Sequence, residues 1–109
     1  MNLERIVKTK DYSRISKNSR KLHSRSFLIL YNLLMEDDLL KVGFTVSKKV
    51  GNAVKRNYCK RLIRVITKEI IKENKFKPAE IIIIARPTLI KEKYINLKNE
   101  FVKGLENLR

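Results

Sequence analysis

Eight lysines and arginines and no acid stand between Lys41 and Arg64. Lys48 and Lys49 come first, just before Val50-Gly51-Asn52. Arg56, Lys60, Arg61 and Arg64 follow at intervals close to one helical turn. Arginine at this spacing suits a row of phosphates, because its planar fork makes paired hydrogen bonds to phosphate oxygens. A helix opening at Asn52 would add free backbone N–H groups and the positive end of its dipole. Asn57 both donates and accepts, so it can read a base edge or a 2′-hydroxyl. A merely solvated face mixes both charge signs. Here no acid occurs from Lys41 to Lys68, so the segment reads as a surface for a polyanion.

Other chemistries are poorly supplied. His23 is the only histidine and Cys59 the only cysteine, which excludes a histidine-based triad, a multi-histidine metal site and a disulfide framework. No cluster of carboxylates is arranged to hold metals or move protons, and Glu36-Asp37-Asp38 has the composition of a solvated turn. The net charge of +15 over 109 residues repels itself in a compact fold and implies an anionic partner. The length fits one domain, residues 1–109, with an ordinary hydrophobic core. No apolar run approaches the length of a membrane span, and the N-terminus has no apolar signal region. A cytoplasmic protein with no membrane partner is expected, and its lone cysteine fits a reducing compartment.

The elements that must position the basic segment follow from apolar periodicity. Residues 9–17 predict a short helix capped by Thr9, with Tyr12 and Ile15 on one side. Residues 20–24 predict a short strand. The apolar run Phe27–Met35 predicts a buried strand that turns at Glu36-Asp37-Asp38 and returns as Leu40–Ser47, a hairpin. In the returning strand Val42, Phe44 and Val46 alternate with Gly43, Thr45 and Ser47, leaving one face small and polar. Residues 52–72 predict the main helix, with Asn52 as N-cap. Its dry stripe is Cys59, Leu62, Ile63, Ile66 and Ile70, and its opposite face is Asn57, Lys60, Arg61, Arg64 and Lys68. Cys59 in the dry stripe reads as packing rather than as a nucleophile. Ala79–Ala85 predicts a buried strand and Lys91–Leu108 a last helix. The order α-β-β-β-α-β-α predicts an α+β fold, an α-β sandwich with helices packed on one mixed sheet.

The run Val46-Ser47-Lys48-Lys49-Val50-Gly51-Asn52-Ala53-Val54-Lys55-Arg56-Asn57, followed by Lys60-Arg61-Leu62-Ile63-Arg64, resembles the protein subunit of bacterial ribonuclease P. That family carries an Arg-Asn-Arg signature on a helix that follows a strand ending in Ser-Lys-Lys. The resemblance covers almost the whole chain. Three positions depart from the pattern. Tyr58 stands in the third signature position, Ser16 where a second aromatic is usual one turn after Tyr12, and Ser19 where a glycine is common.

The resemblance implies a sandwich with a left-handed β-α-β crossover, whereas general topology favours the right-handed form. It implies that a large catalytic RNA, with bound magnesium, removes the 5′ leader of precursor tRNA. The protein would be a non-catalytic subunit that binds this RNA through Lys48, Lys49, Asn52, Arg56, Asn57, Lys60, Arg61 and Arg64. It would guide the leader along a groove that includes Tyr12 and Thr45. A structural rRNA-binding protein of ribosomal type would share the size, charge and fold class, and the SKKVGNAVKRN segment separates the two readings. A DNA-binding module would need a dimer seam, which is absent from the sequence pattern.

Overall fold

The computed structural model describes residues 2–35, 39–73 and 76–108. The chain begins with strand β1 (Asn2–Arg5) and helix α1 (Thr9–Lys17), followed by strands β2 (Arg20–His23), β3 (Phe27–Leu33) and β4 (Leu39–Thr45). Helix α2 (Ala53–Glu73), strand β5 (Ala79–Ala85), a 3-10 turn (Pro87–Lys91) and helix α3 (Tyr94–Glu106) complete it. One mixed five-stranded sheet has the order β1-β4-β5-β3-β2. β5 runs parallel to β4 and antiparallel to β3. β1 is parallel to β4, and β2 forms a hairpin with β3.

The sequence reading needs four corrections. The hairpin expected between Phe27–Met35 and Leu40–Ser47 does not form, because β5 lies between those two strands. Its Ile81, Ile82 and Ile83 are all buried, on alternating faces of the sheet. A strand that is apolar on both faces is stable only where both are covered, and that place is the centre. The proposed turn Glu36-Asp37-Asp38 lies outside the described residues. The sequence pattern does not predict strand β1, since a four-residue polar-edged segment has no periodic signal and exists by pairing with β4. The cap of α1 is also different: Thr9 is already helical, Lys8 holds the cap position, and no side chain caps the end. Finally, Pro87 opens the 3-10 turn, which delays the last helix to Tyr94.

The sheet has helices on both faces. On one, Phe27, Ile29, Tyr31, Leu40, Val42, Ile81 and Ile83 pack against Cys59, Ile63, Ile66 and Ile70 of α2 and Leu97, Phe101 and Leu105 of α3. The Phe27 and Phe101 rings stack with centroids 4.2 Å apart. On the other, Leu30 and Ile82 meet Ile6 and Ile15, with Tyr12, Leu28 and Ile84 at the margin. Burial pushes the Cys59 thiol pKa up, so it stays protonated and inert in the core.

One carboxylate sits in the α1 face of the central strand. Glu80 is 5% exposed, and its two oxygens accept from Arg14 Nη1 and Nη2 at 2.6 and 2.7 Å. Asn32 Nδ2 adds a third bond at 3.1 Å. The Arg14 bonds, and then Asn32 and Lys41, hold the Glu80 carboxyl below its ordinary range despite the opposing effect of burial. A carboxylate with a depressed folded pKa stabilises the fold above its unfolded value, and that stabilisation is lost as pH falls. Glu80→Gln is therefore expected to lower stability at neutral pH by about 1–2 kcal/mol. Urea titrations of both proteins should show the difference shrinking as pH drops through the carboxylate range. A difference that persists in acid would mean that Glu80 acts by packing alone.

Candidate nucleic-acid interface

Thr45 ends β4, and residues 46–52 turn the chain into α2, which begins at Ala53. Val50 N–H donates to Ser47 O at 3.1 Å and Gly51 N–H to Lys48 O at 3.2 Å, which puts Lys48 and Lys49 at the exposed bend. Val50 is buried and pins the turn to the core. Gly51 has φ +150°, a conformation that L side chains rarely adopt, so the helix can begin at once. Asn52 caps it: its Oδ1 accepts from Lys55 N–H at 3.0 Å. Asn52 thus has a structural task that occupies its oxygen and leaves its amide N–H groups for another partner.

Along α2 the sidedness read from the sequence holds. Cys59, Ile63, Ile66 and Ile70 are buried, as is Thr67, whose hydroxyl donates to Ile63 O at 2.7 Å. Asn57, Arg61, Arg64 and Lys68 are exposed, while Arg56 and Lys60 are half-buried at the flanks. Among the described residues none of Lys48, Lys49, Arg56, Lys60, Arg61 and Arg64 has an acidic partner. The helix also presents Val54, Tyr58 and Val65 to solvent, spaced so that they line one stripe with Arg61. Tyr58 is 47% exposed, so its ring is available as an aromatic face.

A second feature lies on the α1 side of the sheet. The strand register aligns Thr45 with Ile84, Ile84 with Leu28, and Leu28 with His23. This row crosses four strands at the end of the sheet where α2 begins. Leu28 and Ile84 are half-buried, Thr45 and His23 exposed. Tyr12 closes one end of the row. Its hydroxyl accepts from Phe44 N–H at 3.0 Å and lies 3.3 and 3.4 Å from the carbonyls of Ile6 and Phe44. Tyr12 thus lies beside Phe44, the residue before Thr45. Arg86 closes the other end, with Nη2 3.1 Å from His23 Nδ1. Nothing in the sequence pattern marks Leu28, Ile84, His23 and Arg86 as site residues. Only the register, which joins four separate strands, aligns them.

Gly43 makes the Tyr12 anchor possible. A Cβ there would sit 2.6 Å from the Tyr12 hydroxyl oxygen and 2.9 Å from Cζ. Gly43→Ala is expected to destabilise the protein by about 1–3 kcal/mol by displacing the ring. The same change in a Tyr12→Ala background should cost much less, since nothing is then displaced. A double-mutant cycle by chemical denaturation checks this, and additive effects would contradict the contact.

A family model described as Ribonuclease P matches residues 1–109. A ribonuclease P protein component from Macrococcus caseolyticus is 39% identical over 105 residues, which cover 95% of this chain and 85% of the relative. A solved structure of Staphylococcus aureus RNase P protein superimposes with TM-score 0.78 at 33% identity, covering 94% of this chain and 92% of that one. The RNase P protein from Thermotoga maritima shares the fold with TM-score 0.84 at 24% identity, over 97% of this chain and 98% of that one. With sequence agreement running end to end and the fold shared, the chain belongs to the ribonuclease P protein family.

Proposed function

We propose that this chain binds the catalytic RNA of ribonuclease P through the exposed side of α2 and the Lys48-Lys49 turn, and that it guides the 5′ leader of precursor tRNA along the Thr45–Ile84–Leu28–His23 row. The observation that carries the reading is the basic surface of α2 from Arg56 to Lys68, free of acids, which opens at the same end of the sheet as that row. Phosphates of a folded RNA would lie against Arg61 and Arg64, with Arg56 and Lys60 at the flanks and Asn57 reading a base edge or 2′-hydroxyl. The leader, being single-stranded, needs apolar and aromatic surface for its bases and cations for its backbone. Leu28, Ile84 and Tyr12 supply the first, and Arg86 the second.

Cleavage is assigned to the RNA, with magnesium bound mainly by the RNA. Among the described residues no three of His, Cys, Asp and Glu are grouped to hold a metal ion. Family membership favours this reading over the ribosomal-type alternative. No helix among the described residues is long and apolar enough to cross a membrane, and the reading places the protein in the cytoplasm.

The RNA-free protein is expected to leave precursor tRNA intact. With a cognate catalytic RNA it should raise the rate of leader removal at low magnesium. Cleavage by rigorously RNA-free protein would overturn the assignment. Salt titration of holoenzyme assembly tests the α2 surface. Arg61→Ala should weaken assembly and reduce the log–log salt slope by about 1, as expected for one lost phosphate contact. Asn57→Ala should weaken it with little change in slope, because the side chain is neutral. Wild-type affinity and slope for Arg61→Ala would reduce the surface to solvated charge.

A further inference from the structure

Helix α2 does not cover the sheet out to its β1 edge. Between β1, β4 and α2 the structure leaves a cleft of about 270 Å³, lined by Leu3, Arg5, Val42, Phe44, Thr67 and the α2 cations Arg64 and Lys68, with Glu4 also at the lining. It lies on the opposite sheet face from the Tyr12–Thr45 row, since Val42 and Phe44 point towards α2 and Gly43 and Thr45 away from it. Its wall is mainly apolar: Val42 is buried, Phe44 half-buried, and Leu3 is 40% exposed. Arg5, Arg64 and Lys68 are exposed and have no ion-pair partner among the described residues.

We propose that this cleft receives one unstacked nucleotide of the RNA partner, with the base against Leu3, Val42 and Phe44 and its flanking phosphates on Arg5, Arg64 and Lys68. The proposal rests on the ribonuclease P reading and deepens it. Three considerations select this occupant. The volume is just below the range of about 300–1,000 Å³ typical of sites for drug-sized ligands, so it suits a single planar ring system with its sugar and phosphates outside. Three unpaired cations around an apolar floor complement a group that is flat and apolar at one end and anionic at the other. Arg64 belongs at once to the basic face of α2 and to the cleft, so an RNA strand lying along α2 reaches the cleft without leaving the surface. RNA recognition commonly takes this form, with an unpaired base splayed out of its strand into a side-chain pocket.

The test pairs a free nucleotide with the assembled particle. Adenosine 5′-monophosphate added to the isotope-labelled protein should shift the amide signals of Leu3, Val42, Phe44 and Thr67. Ribose 5-phosphate and inorganic phosphate at the same concentration should leave Val42 and Phe44 unmoved. Equal shifts with inorganic phosphate, or adenosine shifts only elsewhere on the protein, would overturn the proposal. Leu3→Trp fills the cleft without changing charge. It should abolish the adenosine shifts and weaken assembly with the catalytic RNA about tenfold, the loss expected for one base contact. Wild-type assembly by a folded Leu3→Trp protein would overturn the proposal while leaving the family reading intact. Failure of the wild type to bind the RNA would overturn both. Should Leu3→Trp not fold, the adenosine titration of the wild type decides alone.

Discussion

Strand β5 must be covered on both faces, and the rest of the molecule is arranged to do it. Ile81 and Ile83 face α2 and α3, while Ile82 faces α1. Along its edges β5 pairs with β3 on one side and β4 on the other, so its backbone groups are satisfied within the sheet. This placement separates β3 from β4 and makes the α2 crossover the link between parallel neighbours. It also buries Glu80 under α1, where an unpaired carboxylate would be costly. Arg14 and Asn32 remove that cost and fix how α1 lies on the sheet.

The distribution of charge follows from where the acids are used. Glu80 holds α1 through Arg14. Glu69 and Glu73 hold α3 to α2, through Lys98 at 3.3 and 3.0 Å and through the Tyr94 hydroxyl, which donates to Glu69. Those bonds keep the Glu69 carboxyl low, the Tyr94 hydrogen bond first among the causes. Glu100 accepts from Ser24 and from Ser26 N–H, tying α3 to the β2–β3 turn, and Glu92 pairs with Arg25. These acids fasten helices to the sheet or to one another. None is placed beside the N-terminal half of α2, whose cations are left to repel one another. On the proposed reading an RNA backbone would relieve that repulsion, so the same feature that destabilises the free protein would favour the complex.

The two candidate surfaces are mechanically joined. β4 carries Thr45 of the transverse row, then runs through the Lys48-Lys49 bend into α2 with only Val50, Gly51 and Asn52 between. Val50 in the core and the Asn52 cap give that connection little freedom. A leader on the sheet and an RNA on α2 would therefore be held at a fixed offset, which is what positioning a scissile bond requires.

The local sequence determined much of this. The sidedness of α2 is legible because a helix has one period, and apolar and basic residues were written in phase with it. The cap at Asn52 and the buried character of Ala79–Ala85 are equally local. So is the small polar face that holds Gly43 and Thr45, since alternation along one strand suffices to define it. Which strands are neighbours is a different kind of fact. Phe27–Met35 and Leu40–Ser47 satisfy every local rule for a hairpin, yet a strand from some forty residues further on takes the place between them. Local pattern says that a face must be buried without saying what buries it. Strand β1, the row from Thr45 to His23, the Arg14–Glu80 pair and the cleft beside β1 all join residues distant in sequence. They exist because the central position of β5 brings those residues into register, and only the tertiary structure decides that.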